Sequence, residues 1–101
     1  MGALAESILA DREILYFFRQ DGCGACEAAT PELAKYMTKH PTMQVLTLDA
    51  AGPYPAAIGV KVKATPTYAY RHGAALVVVE GAMRVGELEK WIKRINTEIN
   101  R

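Results

Sequence analysis

Two cysteines, Cys23 and Cys26, are the residues whose type and spacing most directly suggest chemistry. They are the only cysteines in 101 residues, and two residues separate them. In a reducing compartment such a pair is typical of a metal site or a redox dithiol rather than a structural crosslink. A tetrahedral zinc site needs four ligands, and His40 and His72 fall in a predicted helix end and a predicted turn, where we expect them to be isolated and exposed. The pair is therefore interpreted as a redox dithiol without a metal.

The start of a predicted helix would activate the first sulfur of the pair. Unpaired backbone N–H groups and the positive end of the helix dipole favour thiolate over thiol there, by about 0.3 to 1 kcal/mol for the dipole. We therefore predict that Cys23 is the nucleophile. Cys26, one helical turn later, is predicted to attack the mixed disulfide formed by Cys23. Asp21 and Glu27 are nearby carboxylates whose charge would oppose thiolate formation, and a purely structural pair remains the alternative.

The patterns on either side of the pair predict the elements that hold it. Glu13–Arg19 is a run of aromatic and branched residues typical of a strand buried on both faces. Asp21–Gly22 interrupts this run, and Glu27–Lys39 has helical periodicity, with Pro31 expected to kink the helix. A short helix is also predicted over Ala3–Asp11. The inward positions predicted for the helix after the pair are Leu33, Tyr36 and Met37.

Downstream patterns predict a second strand, a short helix, a hairpin and a last helix. The strand is Met43–Leu48 and the short helix lies within Pro55–Val60. The hairpin joins the strands Thr67–Tyr70 and Ala75–Glu80 through a turn at Arg71–Gly73. The last helix begins at Gly86, and Glu89 is expected to pair with Lys93 on its outer side. Its predicted inner stripe comprises Leu88, Trp91, Ile92, Ile95 and Ile99.

This order of elements predicts an α/β fold in one domain over residues 1–101, with a mixed four-stranded sheet covered by helices on both faces. Lys and Arg number 12 and Asp and Glu number 11, so no net field favours nucleic acid or a membrane surface. The longest apolar run, Ala74–Val79, is too short to cross a bilayer. The first residues do not resemble a secretory signal, and we expect a cytoplasmic protein.

Several of these features occur together in one known family. The segment Ile14–Cys26, the helix proline Pro31, Thr65-Pro66-Thr67, the turn Gly73 and the dipeptide Gly81-Ala82 resemble landmarks of the thioredoxin family, in the same order. The resemblance implies a thioredoxin-like fold and a thiol-disulfide oxidoreductase that reduces protein disulfides. It also implies a monomer with no bound cofactor, whose redox-active disulfide is regenerated by an external, thioredoxin-reductase-like electron donor.

The resemblance also implies a substrate-binding surface. In this family the proline that matches Pro66 follows a cis peptide bond and faces the cysteines, and the residue that matches Thr65 offers backbone hydrogen bonds to the substrate. The complete surface implied in this way comprises Gly22, Gly24, Ala25, Thr65, Pro66 and Gly81.

The chain departs from the family pattern at four places. The usual tryptophan before the first cysteine is Gly22, and the usual Gly-Pro between the cysteines is Gly24-Ala25. The buried aspartate that assists the resolving thiol corresponds to Phe17, and its lysine partner corresponds to Val45. We therefore predict that this proton relay is missing.

Two other functions remain open from the sequence. One is a binding module that grips a protein partner through the surface around Cys23, Thr65 and Gly81. The other is a glutathione-dependent glutaredoxin, although the Pro-Tyr usual between its cysteines is absent. Lys61 and Lys63 form a small basic edge, which is either ordinary solvated surface or a bias on the choice of partner.

Overall fold

The computed structural model describes residues 12–100. Within them the elements are β1 (Glu13–Arg19), α1 (Gly24–Lys39), β2 (Gln44–Asp49), a short 3-10 helix (Ala56–Ile58), β3 (Thr67–His72), β4 (Ala75–Glu80) and α2 (Val85–Ile99). The helix predicted over Ala3–Asp11 lies outside the described residues. No helix in the described part of the chain combines the length and the apolar character needed to span a bilayer.

The four strands form one mixed sheet, as predicted, and their order in it is β2-β1-β3-β4. β1 and β2 are parallel and are joined by α1, whereas β3 is antiparallel to both β1 and β4. β1 is therefore a central strand, and its five middle residues, Ile14–Phe18, are all buried. This burial on both faces is the reason that β1 has a continuous apolar run rather than an alternating one.

The alternation of side chains along β1 divides the core between the two faces of the sheet. Leu15 and Phe17 point into the larger cluster, which α1 and α2 cover together. Ile14, Tyr16 and Phe18 point into a second cluster on the opposite face. The segment 50–62, which contains the 3-10 helix, covers that second face. The two α-helices of residues 12–100 thus share one face, and a single helical turn lies on the other.

The hairpin differs from its prediction because strand pairing extends further than the local pattern indicated. Arg71 pairs with Leu76 and His72 pairs with Ala75, so both residues belong to β3 and not to the turn. The turn is at Gly73 and Ala74, and Gly73 has a φ of 61°, which glycine adopts without strain. The prediction of a turn at Arg71–Gly73 was therefore wrong in its position.

Two predicted inward residues of the helices are exposed instead. Met37 is 45% exposed and Ile99 is 39% exposed. In α1 the buried stripe ends at Tyr36, and Met37 lies beside that stripe on the solvent side. Ile99 is the last residue of α2, one turn beyond the buried Ile95. The helical period was predicted correctly, but the width and the end of each buried stripe were not.

Glu89 joins the two helices and does not make the predicted pair with Lys93. Its carboxylate lies 2.7 Å from His40 Nε2 and 3.6 Å from Lys39 Nζ, both at the end of α1. The hydrogen bond from His40, and then the charge of Lys39, lower the pKa of Glu89. A contact between helices has thus replaced the expected contact along one helix.

His72 takes part in a polar network at the end of the sheet away from the cysteines, so the expectation of an isolated surface residue was wrong. Its Nδ1 lies 2.8 Å from Asn96 Oδ1 and 3.7 Å from Glu13 Oε1. The hydroxyl of the fully buried Tyr70 donates to Glu13 and lies 3.0 Å from Asn96 Oδ1. The network therefore ties β1, β3 and α2 together.

Removing the Tyr70 hydroxyl should weaken the fold measurably. We expect Tyr70→Phe to lower the free energy of unfolding by about 1 to 2 kcal/mol, because the half-buried Glu13 carboxylate loses its hydrogen bond from a fully buried donor. Tyr16→Phe is the matched control. Tyr16 lies in β1 and is buried like Tyr70 of β3, but its hydroxyl has no hydrogen bond within residues 12–100. Urea unfolding of both variants measures the difference, and equal stabilities would contradict the role of this network.

Candidate active site

The first cysteine stands at the junction between β1 and α1. After β1 ends at Arg19, the chain turns through Gly22, whose φ of 77° is disfavoured for residues with a side chain. Cys23 is the N-cap residue of α1, with extended backbone angles. The structure therefore places Cys23 at the helix N-terminus, where the sequence predicted it.

The two cysteines form a disulfide, so the structure represents the oxidised state of the pair. Their Cα atoms are 5.2 Å apart. The backbone N–H of Cys26 donates to Cys23 Sγ over 3.1 Å, so the first turn of the helix directs a positive dipole at this sulfur. Cys23 is half-buried, whereas Cys26 is only 1% exposed. Only Cys23 is accessible enough for a large disulfide to reach its sulfur.

The loop before β3 lies against the exposed sulfur. The carbonyl oxygen of Thr65 is 3.6 Å from Cys23 Sγ, and the Thr65–Pro66 peptide bond is cis. Pro66 is fully buried. Thr67 Oγ1 donates to the carbonyl of Ala64 over 2.5 Å, which closes the loop on itself. The loop is thus fixed from within, and its backbone forms one wall of the site.

A third segment, the turn after β4, completes the surroundings of the pair. The N–H of Gly81 donates to the carbonyl of Pro66 over 2.9 Å. Gly81 has a φ of 100°, which requires glycine. Further along, the N–H of Met83 donates to the buried Tyr68 hydroxyl, and that of Val85 donates to the carboxylate of Glu32 in α1. These bonds fix the turn against both the sheet and α1.

The predicted site residues fall into two groups by their place in the structure. Hydrogen bonds and short contacts bring Cys23, Cys26, Thr65, Pro66 and Gly81 together. The remaining three, Gly22, Gly24 and Ala25, are exposed residues next to Cys23 along the chain. No Cβ built on Gly22 or Gly24 would meet another atom within 4 Å. The surface beside Cys23 is therefore open.

Apolar side chains fill the two positions at which the family that this sequence resembles has a buried aspartate and its lysine partner. Phe17 is completely buried, and its ring packs against that of Tyr68 with centroids 5.1 Å apart. Val45 packs against the same core cluster. Burial raises the pKa of Tyr68, so this phenol stays neutral at physiological pH. Among the described residues, the core cluster that contains Phe17 therefore includes no carboxylate.

The two carboxylates beside the pair differ in their surroundings. Asp21 forms an ion pair with Arg19, with Nη2 and Oδ1 3.0 Å apart. Both side chains reach solvent, so the pair contributes little stability, but it offsets part of the charge of Asp21. Glu27, in the first turn of α1, is exposed and has no ion pair within residues 12–100. Glu27 is thus the carboxylate whose charge remains uncompensated.

Sequence reasoning missed three contributors to this arrangement. Arg19 offsets part of the charge of Asp21, Ala64 supplies the carbonyl that closes the proline loop, and the Tyr68 hydroxyl holds the turn after Gly81. Two of these contacts are local in sequence, Arg19 with Asp21 and Ala64 with Thr67, but no motif marks them. The third joins Tyr68 to Met83, and it forms only when β3 and the turn after β4 fold together. The chemistry open to the whole site is exchange of disulfide partners at one accessible sulfur, with a second sulfur next to it.

Structural comparison finds the same architecture in other proteins. The chain superposes with a TM-score of 0.72 on thioredoxin-2 of the malaria parasite, at 20% identity over 83% of this chain and 84% of that one. On Fasciola hepatica thioredoxin the TM-score is 0.71, at 22% identity over 91% of this chain and 88% of that one. On chloroplastic thioredoxin z the TM-score is 0.72, at 18% identity over 95% of this chain and 90% of that one. At these identities the likeness establishes the fold alone.

Sequence comparison assigns the family. A comparison with curated proteins found no match. The family model described as Thioredoxin matches residues 3–94, which include both cysteines, the cis-proline loop and most of α2. With this match over most of its length, and with a thioredoxin fold around a Cys-x-x-Cys disulfide, the chain belongs to the thioredoxin family.

Proposed function

We propose that the protein is a thiol-disulfide oxidoreductase that reduces disulfides of protein substrates through Cys23 and Cys26. The observation that carries the proposal is the pair itself, in which an accessible sulfur at a helix N-terminus is disulfide-bonded to a buried one. The site also presents the Thr65 carbonyl beside the accessible sulfur, where a substrate backbone can bind. We further propose that it acts as a cytoplasmic monomer, binds no cofactor, nucleic acid or membrane, and is re-reduced by a thioredoxin-reductase-like donor.

The reaction has two exchange steps. In the reduced protein, the Cys23 thiolate attacks a sulfur of the substrate disulfide, forms a mixed disulfide and releases the first substrate thiolate, which takes up a proton. The Cys26 thiolate then attacks Cys23 Sγ and releases the second substrate thiol. Two electrons have passed to the substrate, and the Cys23–Cys26 disulfide remains. The external donor returns two electrons and two protons to the pair.

The proposal predicts catalysis that depends on Cys23. Reduced wild-type protein should accelerate reduction of a disulfide-linked peptide by a dithiol, and Cys23→Ser should leave only the uncatalysed rate, because Cys26 is buried. Thr97→Ser, an exposed substitution in α2, is the control and should behave as wild type. An active Cys23→Ser variant, or an inactive wild type, would refute the proposal.

The direction of electron flow needs a separate measurement. Equilibration of the protein with glutathione redox buffers, followed by thiol alkylation, gives the midpoint potential of the pair. A cytoplasmic reductant should have a midpoint below about −230 mV. A midpoint near about −120 mV, as in strong oxidants, would instead assign an oxidative role.

A further inference from the structure

A pair of lysines stands in the segment that leads into the cis-proline loop. Lys61 and Lys63 are both exposed, and Val62 between them is half-buried. Val62 packs against the second core cluster, and its N–H donates to the Tyr54 hydroxyl over 3.3 Å. The anchored Val62 therefore fixes the backbone from which both lysine side chains extend.

Among residues 12–100, no acidic side chain pairs with either lysine, unlike several other charges there. Arg19 pairs with Asp21, and Lys35 pairs with Glu32 over 2.7 Å. Within residues 12–100, neither Lys61 nor Lys63 forms an ion pair or a side-chain hydrogen bond. They are thus free to attract a charge on a second molecule.

The lysines line a groove that adjoins the candidate active site. The groove has a volume of about 500 Å³, and it is bounded by both lysines, by Thr67 and by β4. Thr67 directly follows Pro66, and Lys63 precedes Thr65 by two residues, so the groove lies beside the loop whose carbonyl contacts Cys23 Sγ. Val78, which is 46% exposed, gives the groove an apolar side, and Glu80 supplies its single carboxylate.

We infer that this groove is a specificity subsite that favours disulfide substrates with acidic side chains next to the reacting cysteine. The inference rests on the proposed function and deepens it. Two positive charges against one negative charge attract an acidic segment, and Val78 offers apolar contact to its side-chain stem. On the helix side of the site, the uncompensated Glu27 repels acidic residues. The preference is therefore one-sided: acidic residues on one side of the substrate cysteine favour reaction, and on the other side they do not.

Three disulfide-linked peptides of equal length test the inference with the complete protein. One carries Glu-Glu before the cysteine, one carries Glu-Glu after it, and the third has Gln-Gln in both places. At low ionic strength, one of the two acidic peptides should have a kcat/KM about fivefold above that of the neutral peptide. This ratio should fall towards one at about 0.5 M salt, because screening shortens the range of the attraction.

Substitution of the lysines shows whether the groove is responsible. In the double variant Lys61→Gln, Lys63→Gln, the ratio of acidic to neutral kcat/KM should fall to about one. The control Lys90→Gln, Arg94→Gln removes two exposed charges of α2 and should keep the wild-type ratio.

The outcomes separate the subsite from the function. Equal kcat/KM for all three peptides, or a preference that survives loss of both lysines, would overturn the subsite while leaving disulfide reduction in place. Failure of the wild-type protein to reduce even the neutral peptide would overturn the proposed function and this inference with it.

Discussion

Cys26→Ser is expected to stop turnover and to trap the substrate on Cys23. The accessible sulfur can still attack a disulfide, but no second sulfur is next to it to release the product. Loss of this intramolecular step should lower the turnover number by more than about 100-fold, because a thiol from solution replaces a neighbour held within one helical turn. Mass spectrometry of the variant with a disulfide peptide should show one covalent adduct per chain.

Cys23→Ser is the matched control for this experiment, since it retains the other cysteine. It should form no adduct, because Cys26 is only 1% exposed. Wild-type turnover by Cys26→Ser would show that outside thiols resolve the intermediate, and that the second cysteine has no role. Adduct formation on Cys26 would show that the helix opens enough to expose its first turn.

Local signals in the sequence account for the parts of the site that lie close together along the chain. The strand Glu13–Arg19 was predicted at its observed bounds, because five aromatic or branched apolar residues in a row are typical of a strand buried on both faces. The Gly22 turn and the helix after Cys23 followed from glycine and from periodicity. The mixed sheet followed from the order of the elements. These features were accessible because short-range backbone preferences determine them.

Features set by long-range contacts were not accessible in the same way. His72 looked like a turn residue until its pairing with Ala75 and its contact with Asn96 were known. Glu89 could have paired with Lys93 in its own helix, but it instead contacts His40 at the end of α1. The family resemblance did predict Thr65 and Pro66 at the site, across about 40 residues of chain, which no periodicity would have done. The roles of the surrounding site residues stay predictions until they are tested by substitution.

Phe17→Asp is expected to destabilise the fold severely and in a pH-dependent way. Phe17 is fully buried against Tyr68, so the substitution removes a large apolar side chain and adds a carboxyl group to the same space. We expect a loss of about 5 kcal/mol at neutral pH, a large part of the total stability of a domain of this size. Urea unfolding of the reduced and oxidised protein at pH 5 and pH 8 measures the loss.

The sign of the pH dependence follows from burial. In the folded variant, the apolar surroundings raise the pKa of the new carboxyl above its value of about 3.9 in the unfolded chain. The folded state then holds a proton that the unfolded state has lost, so the destabilisation grows as the pH rises above about 4, by about 1.4 kcal/mol per unit, until the folded pKa is reached. The variant should therefore be less stable at pH 8 than at pH 5, relative to wild type.

Phe17→Leu separates the effect of charge from that of packing. It keeps the position apolar and should cost about 1 kcal/mol at both pH values. If Phe17→Asp matched Phe17→Leu at pH 8, the new carboxylate would have found a partner or water, and the core around Phe17 and Val45 would not be dry. A large loss confined to the aspartate variant would confirm that the space around Phe17 is dry and cannot hold an ionised carboxyl group.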